Sequence, residues 1–380
     1  MRDYALDNAR MWLEEFHFDG LRLDAVHAVF DLGGRHILLA IEEMSERVGA
    51  RRGWPATLVA ESDLNDPRLL YPRDRGGYAL GAQWADDLHH AAHAFFTGER
   101  AGYYVDFGEA GQLARALESP FVYAWDYSPF RGRKHGAPPE GLAGDRFVVC
   151  VQNHDQVGNR ARGDRLNVLL GPPAKQRLAA GLLLLAPYLP LVFMGEEYGE
   201  ENPFPFFCSF CDPQLVQAVR EGRKREFDAF AWQGEVPDPH GEDTFESARL
   251  SWSWPEGTPR AGLRRLYRDL LAARREWPAL RDFQRRSARL LDDDQAGSLL
   301  ELVRGAESSG GAIRAVFNLG DRPCRLPGGT PAESSTLFSS EAARYGGRRR
   351  EAGPVAELLP YECVVFGPPS FPNFTAPGNP

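Results

Sequence analysis

Three carboxylates close three separate apolar runs: Asp24 after Gly-Leu-Arg-Leu, Glu61 after Thr-Leu-Val-Ala and Asp155 after Phe-Val-Val-Cys-Val-Gln-Asn-His. Paired carboxyl groups, one ionised and one protonated, do nucleophilic and acid/base work at an acetal carbon, as glycoside hydrolysis requires. Side chains alternate along a strand, so Arg22 shares a face with Asp24, and Val59 shares one with Glu61. A guanidinium two residues away holds Asp24 ionised, as an attacking group must be. Glu61 has no cation beside it in sequence, which suits a proton donor. Asp155 is placed to steady a cationic sugar and grip its hydroxyls, with His27, Asn153 and His154 as neutral hydrogen-bonding companions. Any one of these acids alone reads as a helix cap or surface charge, and Arg22–Asp24 as a structural ion pair. Recurrence at successive strand ends decides for a shared site.

The elements that position these residues alternate. Asp3–His17 has apolar residues at helical spacing, and Gly20–Val26 follows as a strand. His36–Val48 is a second amphipathic helix and Thr57–Ser62 a second strand. A weak third strand leads through Gln83–His90 into a helix reaching Phe96, and a short helix covers Gly111–Leu117. Phe147–Gln152 is a strand, Ala174–Ala186 a leucine-rich helix and Leu191–Gly195 a buried strand running into Glu196. Alternation of this kind predicts parallel βα units with the site at the strand C-termini. Helices are expected over Asp212–Phe230 and Leu263–Trp277. Beyond Pro278 the texture changes to short strands, Leu299–Val303, Ile313–Asn318, Thr336–Phe338 and Tyr361–Phe366, between Gly, Pro and Ser clusters. The expected organisation is α/β: part of a (β/α)8 barrel over residues 1–280, then a small all-β sandwich over 281–380, with a loose tail from Pro368.

The chain has 380 residues and 43% hydrophobic content, enough for one large and one smaller domain. A net charge of −9 argues against a general binder of nucleic acid or anionic membrane. Five cysteines do not make a disulfide framework. Cys208 and Cys211 have metal or redox spacing, but no second pair completes a closed site. The N-terminal residues lack the apolar stretch of a signal peptide, and the run from Gly181 to Gly195 is interrupted by Pro187 and Pro190. A soluble, reducing, cytoplasmic setting is expected.

The motifs around the acids, Gly-Leu-Arg-Leu-Asp-Ala-Val-His27, Leu-Val-Ala-Glu61 and Gln-Asn-His-Asp155-Gln-Val-Gly-Asn, resemble three signature regions of the α-amylase family of glycoside hydrolases in order and spacing. The resemblance covers nearly the whole chain. It implies a nucleophile at Asp24, an acid/base at Glu61 and a transition-state stabiliser at Asp155, with Arg22 and His154 as sugar-site partners. Gln-Trp-Ala-Asp-Asp-Leu-His-His, Phe-Met-Gly-Glu-Glu-Tyr-Gly-Glu and Phe-Phe-Cys-Ser-Phe-Cys-Asp-Pro resemble the trehalose-releasing members. That narrower resemblance implies hydrolysis of the α-1,4 bond next to the terminal trehalose of maltooligosyl trehalose, through a covalent glucosyl–Asp24 intermediate, without metal or organic cofactor. It also implies functional pairing with a maltooligosyltrehalose synthase. A glucan branching enzyme and a catalytically dead binding module are the competing readings; the stretch from Phe206 to Phe230 favours the first over the former, and the retained acids with Arg22 count against the latter. The family's first signature region, three leading βα units and N-terminal β domain have no match here. The chain therefore reads as a fragment beginning before the fourth strand, with the Asp24 strand as an open edge. On this basis the 380-residue chain alone is expected to be poorly soluble and inactive.

Further substrate-contact candidates are Trp84, Asp87, His89, His90, Gln156 and Glu196. Trp84 is the best placed of the aromatic residues to stack on a sugar ring, although most aromatics are core. One of His89 and His90 is expected on the helix surface. The basic run Arg220–Arg225 reads as a solvated helix face.

Overall fold

A computed structural model of the chain describes residues 1–229, 236–291, 299–306, 308, 311–330, 333–350 and 353–374. It divides into two compact units. The first comprises Met1–Leu88, Ser119–Val149 and Pro187–Leu189; the second comprises His89–Glu118, Cys150–Ala186 and Pro190–Pro380. Among the described residues no helix is long and apolar enough to cross a membrane.

The first unit is built on a parallel sheet. Its strands are β1 (Gly20–Leu23), β2 (Thr57–Ala60), β3 (Ala82–Trp84), then, after a hairpin of β4 (Asp126–Ser128) and β5 (Arg133–His135), β6 (Phe147–Val149) and β7 (Leu189–Pro190). Their order is β1-β2-β3-β6-β7, with β1 at an edge. Register aligns Arg22 with Val59, Val59 with Ala82, and Trp84 with Val148. Those residues share one sheet face with the positions leading to Asp24 and Glu61. The opposite face carries Leu58, Ala60, Phe147 and Val149, all buried. One face is thus core and the other carries the chemistry. Helix α1 (Arg2–Glu14) buries Ala9 and Leu13, and α2 (Ile37–Arg52) buries Leu38, Ile41, Met44 and Val48 at helical spacing. Gly53, at φ 84°, ends α2 in the left-handed conformation that glycine adopts without a Cβ penalty. β1 and β2 approach closely at Gly20, where a Cβ would collide with the Thr57 carbonyl.

The second unit contains α4 (Ala110–Glu118), α5 (His154–Gly158), α6 (Leu166–Leu170), α7 (Pro173–Leu185), α8 (Pro213–Ala229), α9 (Glu242–Ser247), α10 (Pro259–Glu276) and α11 (Pro278–Arg281). Helix α3 (Asp87–Thr97) supplies it with His89, His90 and His93. An antiparallel sheet follows in the order β12-β14-β10-β9-β8, from β8 (Arg286–Leu291), β9 (Leu299–Ala306), β10 (Gly311–Asn318), β12 (Ser335–Ser339) and β14 (Cys363–Gly367). A second ladder pairs β11 (Cys324–Arg325) with β13 (Glu357–Leu358). Leu299, Val316, Val364 and Phe366 of the large sheet pack with Cys324, Leu326, Val355 and Leu358, a sheet-on-ladder core.

Three local expectations are corrected. The strand expected at Leu191–Gly195 lies earlier, at Leu189–Pro190; Glu196 donates its backbone N–H to the Phe193 carbonyl, so the chain is already turning there. β8 was not anticipated, because Arg286-Ser-Ala-Arg-Leu-Leu291 is charged and half-exposed along an edge. The segment from Pro368 to Phe374 is not loose: Phe371 is buried and stacks on Trp277, and the Phe374 N–H bonds to the Leu337 carbonyl. Phe230 and the end of the tail, residues 375–380, lie outside the described residues.

Candidate active site

In the first unit β1 stops at Leu23, one residue before Asp24. Ala25 then takes φ 42° and ψ 45°, a left-handed conformation uncommon for a residue with a Cβ. Neighbouring backbone over-determines it. The Glu61 N–H donates to the Leu23 carbonyl at 2.9 Å, the Val26 N–H to the Glu61 carbonyl at 3.0 Å, and the Ala25 N–H to Glu61 Oε2 at 2.5 Å. The turn after β1 is thus stitched to the end of β2, and the two carboxylates stand on adjacent strand ends.

Arg22 joins them. Its Nη1 donates to Asp24 Oδ1, and its Nη2 lies 3.9 Å from Glu61 Oε2. Its guanidinium sits 4.4 Å over the Trp84 ring. The Asp24 side chain is 79% exposed, whereas those of Arg22 and Glu61 are 27% and 17% exposed. A solvent-facing carboxylate backed by a sheltered cation is accessible to a reactant and electrostatically steadied. His27 Nε2 lies 3.7 Å from Asp63, which also accepts from Arg131 at 3.0 Å. Burial works to raise the Asp63 carboxyl, but the Arg131 hydrogen bond and charge outweigh it and hold it below its ordinary value. Nδ1 of His27 is buried without a hydrogen bond among the described residues.

Asp87, also in the first unit, is buried. It accepts from Asn65 Nδ2 at 2.9 Å and from the backbone N–H groups of Val122 (2.6 Å) and Tyr123 (3.2 Å). Burial pushes its carboxyl up to about 6 against those hydrogen bonds. Its contacts fasten the loop before β4. Asn65 was not singled out in the sequence; only its partnership with Asp87 across 22 residues marks it.

In the second unit Asn153 caps α5, its Oδ1 accepting from the N–H groups of Asp155 (2.9 Å) and Gln156 (3.2 Å). His154 Nε2 is 3.3 Å from Asp155 Oδ1, and both side chains are close to half-exposed. Asn153 Nδ2 and Gln156 Oε1 are buried without a hydrogen bond among the described residues. His89 has both ring nitrogens engaged, Nδ1 at 2.6 Å from the Val151 carbonyl and Nε2 at 2.8 Å from Tyr104 Oη. His90 packs its ring against Tyr103 at 4.5 Å and Phe107 at 5.1 Å. Glu196 is buried and accepts from Tyr267 Oη at 2.7 Å; burial raises it to about 7. Among the described residues no three His, Cys, Asp or Glu side chains gather as a metal site. Cys208 Sγ lies 3.4 Å from His240 Nε2, and burial raises its thiol. Arg220 of the basic run pairs with Asp238, while Arg223 lies over Phe206 and donates to the Gly158 carbonyl.

No family model matches the chain. It superposes on a solved α-amylase-like protein of Salmonella typhimurium with a TM-score of 0.79 and 34% identity, over 97% of this chain and 60% of that one. Parallel βα units, the acids Asp24 and Glu61 at adjacent strand ends and a β domain with that likeness define the fold as part of a (β/α)8 barrel with an all-β domain. By sequence the chain is a relative of the malto-oligosyltrehalose trehalohydrolases. It is 44% identical to that of Rhizobium sp. (strain M-11) over 94% of its own length and 59% of the relative's. With that of Brevibacterium helvolum the figures are 45%, 96% and 60%. The chain therefore spans about three-fifths of the length of these relatives.

Proposed function

We propose that this chain carries the catalytic acids of a glycosidase that cleaves the α-1,4-glucosidic bond beside the terminal trehalose of maltooligosyl trehalose, releasing trehalose. The carrying observation is Arg22, bonded to exposed Asp24 and 3.9 Å from sheltered Glu61 on the neighbouring strand end. An ionised Asp24 attacks the anomeric carbon while the bond to the trehalose oxygen breaks. Glu61 gives that oxygen its proton, and trehalose leaves. Water then attacks the maltooligosyl–Asp24 ester, passing its proton to Glu61, and the configuration is retained. Asp155 stabilises the cationic transition state from the first turn of α5: the strand expected over Phe147–Gln152 stops at Val149, and the chain turns into that helix before the acid. Arg22, His27, Trp84, Asn153, His154 and Gln156 supply contacts to the sugars, the buried polar atoms of His27, Asn153 and Gln156 being suited to hydroxyl groups. A synthase that makes maltooligosyl trehalose supplies the substrate.

Incubation of the full-length protein with maltooligosyl trehalose tests this. Free trehalose in the wild type and none in Asp24→Ala supports it. New branch points in place of trehalose would make the chain part of a branching enzyme instead.

A further inference from the structure

Both ends of the segment that carries Asp155 are tied to one network of hydrogen bonds and stacked rings in the second unit, buried at His89 and His93 and partly buried at Glu99 and Arg160. At the leading end, Val151 gives its carbonyl to His89 Nδ1 at 2.6 Å. A carbonyl only accepts, so Nδ1 bears the proton and Nε2 accepts from Tyr104 Oη at 2.8 Å. The tautomer is thereby fixed. Tyr104 stacks on His93, ring centroids 4.3 Å apart and planes 17° from parallel. His93 Nε2 lies 2.8 Å from Glu99 Oε2. At the trailing end the same Glu99 oxygen accepts from Arg160 Nη1 at 2.8 Å. Arg160 closes the turn after α5, its N–H donating to the Val157 carbonyl at 3.1 Å. Val151 and Arg160 thus bracket Asn153–Gly158.

The electrostatics suit a rigid clamp. His89 is 1% exposed, and burial, then repulsion from His93 and His90, holds its proton affinity well below the ordinary value, so the ring stays neutral. Burial works against the Glu99 charge, but hydrogen bonds from His93 and Arg160 overcome it and bring the carboxyl down to about 2.

We propose that His89 and Glu99 are positioning residues which hold the Asp155 segment from its two ends, His89 through the Val151 carbonyl and Glu99 through Arg160. This rests on the hydrolytic role proposed for Asp155. Neither residue is asked to touch the sugar: His89 has no ring nitrogen left for it, and Glu99 acts through Arg160.

The test uses the full-length protein with maltooligosyl trehalose and four variants, Asp155→Asn, His89→Ala, His89→Asn and Glu99→Gln. Removing an outer support of this kind reduces activity by about 10- to 100-fold. His89→Ala and Glu99→Gln are expected to lose that much kcat while KM stays within about three-fold, because the sugar contacts remain. His89→Asn restores a donor toward the Val151 carbonyl. It is expected to recover most of kcat while melting as low as His89→Ala, since both lack the ring that fills the core. A merely structural His89 would instead make kcat follow melting temperature, with the two His89 variants alike, and that result overturns the proposal. So does wild-type kcat in His89→Ala or Glu99→Gln when Asp155→Asn is inactive. A wild-type protein that releases no trehalose, or an Asp155→Asn variant as active as wild type, removes the hydrolytic reading and this inference with it.

Discussion

Arg22→Met separates a structural ion pair from a catalytic one. In the folded state the contacts of the guanidinium include a hydrogen bond to Asp24, an ion pair at 3.9 Å to Glu61 and a face contact at 4.4 Å with Trp84. The first involves a carboxylate 79% exposed to water, and such pairs are worth about 0–1 kcal/mol. The cation–π contact with the half-buried Trp84 adds about 0.5–1 kcal/mol. The Glu61 pair has an attraction of roughly 4 kcal/mol at an effective dielectric near 20, most of which desolvation of the charges cancels. Loss of the cation therefore lowers folding stability by about 1–2 kcal/mol, a shift of several degrees in Tm. Its absence from the reacting site weighs more. Removing one preorganised electrostatic group lowers kcat by roughly 10²–10³-fold, about 2.7–4 kcal/mol. Trehalose release at saturating substrate, read beside a thermal melt, should show a large fall in kcat with a small fall in Tm. Arg22→Lys, which keeps the charge without the planar fork, should lie between. A kcat within tenfold of wild type together with a collapse in Tm would refute the reasoning and return Arg22–Asp24 to a structural tie.

The remaining predictions concern the scaffold. Glu42 lies buried in α2, and burial, then repulsion from Glu46, raises its carboxyl from 4.5 to about 7. The folded state thus holds a proton that the unfolded chain has released, and stability falls as pH rises from about 4.5 toward 7. Glu42→Gln should remove that slope and melt higher than wild type at pH about 8. Arg177 pairs with Glu341, a carboxylate with a fully buried side chain that also accepts from Arg348 Nε at 3.0 Å. Arg177→Met leaves a buried charge half-compensated and should cost about 3 kcal/mol in denaturant unfolding; Glu341→Gln in that background should recover part of it. In α10 a Cβ at Gly262 would run into the Tyr345 carbonyl, so Gly262→Ala should cost about 1–3 kcal/mol, read as a lower Tm.

Much of the first unit was legible from alternation alone. Arg22 and Val59 do lie in register on one face, while Leu58 and Ala60 are fully buried on the other. The place where β1 stops was not legible, because Ala25 at φ 42° is held by bonds from Val26 and Ala25 to Glu61, 35 and 36 residues away in sequence; the 36-residue separation is that of the Ala25 bond. The environments of Asp87 and His89 were hidden for the same reason. Their partners, Val122 and Val151, come from distant loops, so an acid and a histidine beside Trp84 in sequence turn out to be tied into backbone elsewhere. β8 escaped because an edge strand need not be apolar, and Phe371 because a Pro-rich tail looks unstructured until Trp277 is placed beneath it.

Covalent trapping tests the central assignment most directly. The full-length protein is treated with a fluorinated α-glucosyl fluoride, which forms a glycosyl-enzyme rapidly and releases it slowly, and the digested product is read by mass spectrometry. The expected result is one glycosyl adduct on the peptide containing Asp24, absent from Asp24→Asn. Inactivation with the adduct on another residue, or turnover that inverts configuration with no adduct at all, would contradict it.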